Sequence, residues 1–432
     1  MTRRSRVAGM TRREALQGLG GAAATLGLSS GLAAPALAGS DVLRIGYVSP
    51  QTGSLAPFAE SDPFMLQKVR AALASGLTVN GKTYEVEISE VDDQSNSDRA
   101  ATSANRLING EEVNLMLAQG ASTAVPVSAQ CEVAGVPCIT TMDPWQGWMF
   151  PQGGDPAVGF EYVNHFFWGI EDIISTFIGM WDGQDTNKKV ATVWSNDPPG
   201  KVFGSKDIGF PASLGAGGYE ITDVGEFQVG ADDFSAQITA FRNAGCDIVT
   251  GLFSPSEWAI FWRQAQQLGF KPKIATPAKA LLFPAGIAAL GNGGDGMSTE
   301  IWWTPAYPYK STLTGQSSQE LAGDYTATSG RPWTQPIGVV HALWELGINA
   351  LKNAADPMDP DSVQDVIRNT NMTTIIGDID FAGSPVKNVA KLKIAGGQWR
   401  LQPDGSYALK VTYNAAAPEV PIEDTFKLGV GI

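Results

Sequence analysis

Short apolar runs alternate with amphipathic stretches through the first part of the chain. An alternating run at 42–48 predicts a strand, the turn-rich loop 49–54 follows it, and helical spacing then covers about 58–75. The same succession continues, with strands predicted at 84–90, 113–118 and 136–140 and helices at 97–109 and 121–134. This alternation predicts a parallel sheet covered by helices on both faces.

A second alternating series begins after the Gly- and Pro-rich segment 153–159 and the aromatic segment 162–168, where we place a crossing between two lobes. Strands are predicted at 189–194, 219–227, 248–253 and 273–275, and helices at 171–181, 201–214, 234–244 and 256–268. The fold class is therefore α/β, with two similar Rossmann-like lobes side by side. Such lobes predict a clamshell that closes on a small molecule by hinge motion.

The stretch 119–148 brings polar groups to one edge of the first predicted sheet. Ser122 and Thr123 follow a buried strand at the start of a helix, where backbone N–H groups favour an anion such as a carboxylate. Helix capping is the simpler role for these two hydroxyls, and the two roles are compatible. The next strand delivers further candidates to the same crevice, where open α/β sheets bind ligands: Thr141, Met142, Asp143 and Trp145.

The first 38 residues have the pattern of an export signal. Five arginines, including the pair Arg12-Arg13, precede a weakly apolar run and the A-x-A site that ends at Ala38. The paired arginines are similar to a twin-arginine signal, and a general secretory signal is the alternative. No cysteine follows Ala38 directly, so we expect cleavage after Ala38 and a periplasmic protein without a lipid anchor.

Charge and length narrow the function classes. Loss of the signal, with five arginines and one glutamate, changes the net charge from −14 to −18. An acidic protein of this kind repels nucleic acid and anionic lipid, so neither is an expected partner. No later stretch has the roughly 18 consecutive apolar residues of a membrane span. The remaining length indicates two domains, because single cores rarely exceed about 250–300 residues.

Three cysteines remain after export: Cys131, Cys138 and Cys246. A disulfide between Cys131 and Cys138 is allowed in an exported protein, and two free thiols are the alternative. Cys246 is expected to be a buried free thiol. No Cys/His spacing resembles a metal site, and no cofactor signature is present, so we expect neither a metal nor a cofactor.

Several weaker motifs do not indicate catalysis. The glycine-rich segment 291–296 precedes a predicted strand and does not link a strand to a helix, as a nucleotide-binding turn would. Asp361 is expected to cap a helix at 362–369. The two histidines, His165 and His341, lie in different segments without a nucleophile elbow or zinc motif. We therefore expect no catalytic residues.

The chain resembles the type I periplasmic binding proteins, and more narrowly the branched-chain amino acid binding proteins of ABC importers. The resemblance rests on the ordered succession of 45–58 (IGYVSPQTGSLAPF), 119–123, 135–141, 230–241 (GADDFSAQITAF) and 375–399. It implies two lobes joined by three crossovers. Lobe 1 is expected at 39–164 with about 307–373, and lobe 2 at 165–306 with about 374–432.

The resemblance also implies which residues contact the ligand. Family contacts fall on positions after the strands of both lobes: Phe58, Ser122, Thr123, Thr141, Met142, Asp143, Phe203 and Phe253. The expected mechanism is that hydroxyls and amides of the first lobe hold a ligand carboxylate while aromatic rings of the second close over the rest. Trp145 and Trp168 lie beside predicted strand ends or the crossing and are further candidates.

One departure from the family bears on the substrate. Where amino acid binders place a glutamate for the ligand ammonium, this chain has Ala278. Either Glu257 or Asp143 supplies the charge, or the ligand lacks an amine and Lys279 contacts an acid. An exposed surface lysine is the alternative for Lys279. The aromatic candidates favour an aromatic or apolar carboxylic acid, with a quaternary amine held by cation–π contacts as the second interpretation.

Two function classes follow. The first is a non-catalytic periplasmic receptor that delivers a small carboxylate-bearing solute, an amino acid or an organic acid, to inner-membrane ABC permease subunits. The second is an exported enzyme, and a third variant presents the liganded protein to a membrane sensor. Closure around one small molecule needs no second subunit, so a monomer is expected.

Overall fold

The computed structural model describes residues 42–431, so the predicted signal segment and its cleavage site lie outside the described residues. The first sheet has the order β14-β6-β5-β4-β1-β3-β2 and is parallel except at β2. Its strands, numbered along the chain, are β1 (Val42–Ser49), β2 (Leu77–Val79), β3 (Lys82–Asp92), β4 (Leu115–Gln119), β5 (Cys138–Thr141), β6 (Val163–Phe166) and β14 (Val389–Ala390).

The second sheet is parallel and has the order β10-β9-β7-β8. Its strands are β7 (Lys189–Ser195), β8 (Glu220–Phe227), β9 (Ile248–Leu252) and β10 (Ile274–Ala278). An antiparallel sheet of β11 (Ser298–Ile301), β15 (Ala395–Leu401) and β16 (Tyr407–Tyr413) accompanies it, and β12 (Asn371–Thr374) pairs with β13 (Gly377–Asp380). The predicted fold class, two parallel α/β lobes, is confirmed.

Helices connect the parallel strands, as the right-handed crossover of a βαβ unit requires. Those of the first half are α1 (Ala56–Ala59), α2 (Asp62–Ala72), α3 (Ser97–Gly110), α4 (Ala124–Ala134), α5 (Trp145–Met149), α6 (Ile170–Trp181), α7 (Pro198–Phe203) and α8 (Phe210–Ala216). Those of the second half are α9 (Ser235–Ala244), α10 (Pro255–Gln267), α11 (Pro284–Ala288), α12 (Ser318–Ser329), α13 (Pro336–Asn353) and α14 (Pro360–Arg368).

The central strands are buried on both faces, which explains their continuous apolar runs. Every residue of β4 and of β9 is buried. Helix α13, which comes after the second sheet in the chain, packs on β4 and β5 of the first sheet. Its Trp344 lies 5.4 Å from Tyr47 of β1, measured between ring centroids. The return segment of the chain thus completes the core of the first lobe.

The chain passes between the lobes at three places. It leaves the first sheet after β6, returns after β11, and leaves again between β14 and β15. Because β14 pairs with β6 at Val389–His165 and Ala390–Phe166, the segment up to Ala390 belongs with the first lobe. The lobe boundary predicted at about 374 is therefore corrected to the short connection 391–394.

Three local predictions need correction. The helix predicted at 58–75 is interrupted between α1 and α2, and the second helix begins at Asp62 with Pro63 in its first turn. The helix predicted at 201–214 is broken between α7 and α8 by a segment that contains Gly204 and Gly209. Asp361 does not cap α14, since Asp359 holds the N-cap position, and Asp361 instead accepts a hydrogen bond of 2.7 Å from the Tyr162 hydroxyl.

Candidate functional site

A cavity lies where the carboxyl ends of strands from both lobes meet. Its interior has a volume of about 100 Å³, and the space is about 640 Å³ when the open solvent at its mouth is counted. From the first lobe and its exit it is lined by Phe58, Ala121, Met142, Asp143, Phe167 and Trp168. From the second lobe and its exit it is lined by Phe203, Leu252, Ala278, Lys279, Glu300 and Trp302. Phe58 and Phe203 lie in the short helices α1 and α7 that follow β1 and β7, and the others lie within two residues of a strand end. The alternation of strand and helix therefore places them together.

Five aromatic rings line the cavity, and three of them lie at the crossings between lobes. Phe167 and Trp168 follow β6 directly, and Trp302 follows β11. The ring centroid of Trp302 lies 4.9 Å from that of Phe167, 6.1 Å from that of Trp168 and 6.2 Å from that of Phe58. A movement of one lobe against the other therefore changes this aromatic cluster.

Two buried carboxyl groups line the same cavity. Asp143 follows β5, and burial raises its pKa to about 7. Glu300 is the next-to-last residue of β11, and burial likewise raises its pKa to about 7 although the Thr299 hydroxyl donates a hydrogen bond of 2.9 Å to it. Neither carboxyl forms an ion pair with any residue from 42 to 431. The cavity therefore offers two negative charges above neutral pH.

The remaining ionisable groups at the site differ in character. Lys279 lines the cavity in a left-handed backbone conformation, φ 68°, and has no ion-pair partner among the described residues. His165 lies behind Asp143, with its Nε2 atom 2.8 Å from the Asp143 backbone oxygen and its ring stacked on Trp148. Burial lowers the pKa of His165 to about 3, so this imidazole is neutral at physiological pH.

The structure brings six of the eleven predicted ligand contacts to the cavity: Phe58, Met142, Asp143, Trp168, Phe203 and Lys279. Ser122 and Thr123 do not line it. The Thr123 hydroxyl donates to the carboxylate of Asp93, which also accepts from the Ser95 backbone N–H at 2.8 Å. The protein's own Asp93 thus occupies the position predicted for a ligand carboxylate, and Ser122 only approaches the Thr123 hydroxyl at 3.4 Å.

Three more predicted contacts have structural partners away from the cavity. Thr141 is buried and donates to the Phe166 backbone oxygen at 2.7 Å. Trp145 donates to Glu171 at 3.1 Å across the first crossing. Phe253 is buried in the second core, 5.3 Å from Phe227 between ring centroids. These three side chains are therefore held by contacts within the protein and do not line the cavity.

The cavity residues that the sequence missed include Phe167, Leu252, Glu300 and Trp302. Glu300 is the informative omission, because a lone carboxyl within the apolar run 297–303 was a detectable signal. Glu257, the alternative source of charge, is committed to a capping box at the start of α10 and also accepts from the Gly230 backbone N–H at 2.7 Å. Ala278 does line the cavity, at the end of β10.

Of the two alternatives for Cys131 and Cys138, the structure has the free thiols and not the disulfide. Both are buried, and burial, followed by a side-chain hydrogen bond with Cys138, raises the pKa of Cys131. Cys246 is also a buried free thiol, as the sequence indicated. Across residues 42–431 no cluster of three metal-ligating side chains occurs, and no helix of that range is long and apolar enough to cross a membrane.

Thr123→Val is expected to lower the free energy of unfolding by about 1.5–3 kcal/mol, because Asp93 loses a hydrogen bond to a charged acceptor. Solute affinity should stay unchanged, since Thr123 lies off the cavity. Urea unfolding and calorimetric titration measure the two effects. The control Ser122→Ala should change stability by less than about 0.5 kcal/mol. A large loss of solute affinity in Thr123→Val would show that this hydroxyl does contact the solute.

Fold and cavity together define a two-lobed α/β receptor for a small solute. The model of the periplasmic binding protein family matches residues 42–400, and the chain belongs to that family. The sequence-based resemblance is thereby confirmed.

Solved structures share this fold at low sequence identity. A leucine-binding protein, LivK of Thermotoga maritima, has a TM-score of 0.68 at 18% identity, with 86% of this chain and 99% of that chain covered. LivJ of Streptococcus pneumoniae, in complex with isoleucine, has a TM-score of 0.65 at 17% identity, with 86% of this chain and 99% of that chain covered. A solute-binding protein of an ABC transporter from Rhodopseudomonas palustris BisB5, in complex with 3,4-dihydroxybenzoic acid, has a TM-score of 0.66 at 20% identity. The match covers 87% of this chain and 98% of that chain.

Proposed function

We propose that the mature protein is the periplasmic solute-binding receptor of an ABC importer and that it captures a small carboxylate-bearing solute, an amino acid or an aromatic or apolar organic acid. The observation that supports this most strongly is the cavity itself, which both lobes line with aromatic rings at their strand ends. A cavity of this composition suits a small molecule with a large apolar surface and few polar groups.

Donors suited to a carboxylate are present at the cavity. Lys279 supplies an ammonium without an ion-pair partner among the described residues. The indole N–H groups of Trp168 and Trp302 are buried and have no acceptor in the described part of the chain. An unpaired buried donor costs about 1–3 kcal/mol, and a ligand oxygen that reaches it as the lobes move recovers that cost.

The bound structures support the two solute classes in this proposal. Isoleucine occupies the S. pneumoniae protein and 3,4-dihydroxybenzoic acid the R. palustris protein, and both ligands combine a carboxylate with an apolar body. Delivery to inner-membrane permease subunits, export through the signal at 1–38 and a monomeric state belong to the same proposal. No catalytic group is assigned, since the buried His165 and His341 are neutral and bonded within the fold.

Thermal unfolding of the chain from residue 39 onward, across a panel of amino acids, aromatic acids, aliphatic acids, sugars and nucleosides, tests this proposal. A ligand at about 100 times its Kd adds about 2.7 kcal/mol to the free energy of unfolding, which is visible as a raised midpoint. We expect a rise with at least one carboxylate-bearing solute and none with sugars or nucleosides. A rise confined to the latter two would contradict the proposed solute class.

A further inference from the structure

We propose, building on the solute receptor inferred above, that Glu171, Asp172 and Lys391 are positioning residues for solute capture. Together with Trp145 and Gln146 they form a hinge latch, a group of hydrogen-bonded side chains beside two of the three crossings between lobes. The latch holds the first turn of α6 against the first lobe and so favours the closed arrangement, in which the lobes enclose the cavity. Its five side chains lie outside the cavity wall.

The members of the hinge latch lie on both sides of the hinge. Glu171 and Asp172 lie in the first turn of α6, which packs on β11, β15 and β16 of the second lobe. Trp145 and Gln146 lie in α5, which packs on β6 of the first lobe. Lys391 directly follows β14, at the third crossing. Movement of one lobe against the other therefore changes the distances across the latch.

The carboxylate of Glu171 is the centre of the latch, because three donors reach it. Lys391 Nζ lies 2.6 Å from its Oε1 atom, and the Trp145 indole N–H donates to the same oxygen at 3.1 Å. The Gln146 side-chain amide donates to the Oε2 atom. Lys391 Nζ also lies 2.9 Å from Asp172 Oδ1. Hydrogen bonds to ionised groups are stronger than those between neutral groups, so charge holds the latch together.

Backbone hydrogen bonds connect the latch to the cavity wall. The Trp145 N–H donates to the Trp168 backbone oxygen at 3.2 Å, and the Leu392 N–H donates to the Phe167 backbone oxygen at 3.3 Å. Phe167 and Trp168 both line the cavity. Gly169 lies between this wall and the latch, and a Cβ atom there would lie 2.3 Å from the Trp145 indole nitrogen. The absence of a side chain at this position therefore lets the latch form beside the wall.

The latch is formed in a structure whose lobes touch each other. Phe58 of the first lobe and Phe283 of the second lie edge to face, with 5.0 Å between ring centroids. A solute held between the lobes binds with an apparent affinity that is reduced when fewer molecules adopt the closed arrangement. The ion pairs of the latch are partly exposed, between 26% and 48% for the three charged side chains, so salt weakens them.

Lys391→Met removes the charge of the latch and keeps the length of the side chain. The probe is phenylalanine or 3-phenylpropanoate, whichever raises the unfolding midpoint more. Its dissociation rate should increase about three- to tenfold, because the latch no longer favours the closed arrangement. Its association rate should stay within about twofold. Stopped-flow tryptophan fluorescence measures both rates, and Lys391→Arg, which keeps the charge, should restore the wild-type dissociation rate to within about twofold.

Lys393→Met is the matched control, because Lys393 is an exposed lysine two positions further along the same connection. This variant should leave both rates unchanged. A rise in NaCl from about 0.05 to about 0.5 M should increase the dissociation rate of the wild-type protein and increase that of Lys391→Met less, since salt screens the ion pairs of the latch. Circular dichroism checks each fold, and Glu171→Gln tests the same latch if Lys391→Met does not fold.

Small-angle X-ray scattering tests the latch without any solute. At low salt, ligand-free Lys391→Met should have a larger radius of gyration than the ligand-free wild-type protein, because more of its molecules are open. Equal radii would overturn the latch, and so would an unchanged dissociation rate. Binding of no carboxylate-bearing solute at all would instead overturn the receptor proposal, and the scattering comparison would still decide whether the latch holds the lobes together.

Discussion

Trp302→Ala is expected to abolish solute binding and to lower the free energy of unfolding by about 3–5 kcal/mol, the range for large aromatic side chains cut back in a core. Trp302 is only 2% exposed and lies at the second crossing between lobes. Its ring contacts Phe58, Phe167 and Trp168, so its loss opens the cavity wall and loosens the connection on which closure depends.

The matched control is Trp262→Ala. Trp262 is 4% exposed in α10 and donates to the Gly293 backbone oxygen at 2.9 Å, away from the cavity. Trp262→Ala should lower the free energy of unfolding by an amount comparable to that of Trp302→Ala. Its solute affinity, measured below its unfolding midpoint, should stay within about threefold of the wild-type value. Chemical unfolding and calorimetric titration give the two quantities for each variant. Undiminished binding in Trp302→Ala would show that the ring is not part of the site.

Asp62→Asn is expected to raise the free energy of unfolding at pH 8. The substitution should also remove much of the decrease that this free energy shows as pH rises. Asp62 is fully buried at the start of α2, where it accepts from the Tyr47 hydroxyl at 2.9 Å. Burial raises its pKa from 3.8 to about 7. A shift of that size corresponds to about 4 kcal/mol at most.

The sign follows from the proton count. Between about pH 4 and 7 the folded protein holds the Asp62 proton that the unfolded chain has released, so stability is highest below the lower pH and is lost as pH rises through about 7. Asparagine stays neutral throughout. Its amide N–H groups also offer donors to the nearby Ser49 and Gln119 side-chain oxygens, which have no partner among the described residues.

Urea unfolding at several pH values measures this effect. Asp404→Asn is the control, because its carboxyl is exposed, hydrogen bonds to Ser406 lower its pKa, and it is ionised before this pH range begins. The control should reproduce the wild-type slope above pH 5. An Asp62→Asn variant with an unchanged slope would mean that other buried acids account for the decrease, such as Glu345 of α13, whose pKa burial also raises to about 7.

The fold could be predicted from the sequence because each strand and helix is marked by residues within its own segment. Fully apolar runs such as 115–119 are typical of strands buried on both faces, and capping residues mark the helices between them. Met142, directly after β5, could be predicted at the cavity for the same reason, whereas Phe58 and Phe203, in the helices that follow β1 and β7, were expected there from the family resemblance. The place of a residue along a βα unit fixes the edge of the sheet at which it lies.

The rest of the site depends on contacts between distant segments. Thr123 was predicted to bind a ligand because nothing near it shows that Asp93, 30 positions earlier, accepts its hydroxyl. Glu300 and Trp302 join the cavity only because the chain crosses back between lobes after β11. The assignment of 374–390 failed similarly, since a two-residue strand that pairs with β6 has too short a pattern to detect.

The most direct test of the central claim is a crystal structure of the protein with the solute that raises its unfolding midpoint most. We predict that this solute lies between the lobes, in contact with Phe203 and Trp302, and that its carboxylate lies within hydrogen-bond distance of Lys279 or of the indole N–H group of Trp168 or Trp302. A solute bound outside this cavity, for instance in the groove lined by Pro57, Pro284 and Tyr407, would contradict it.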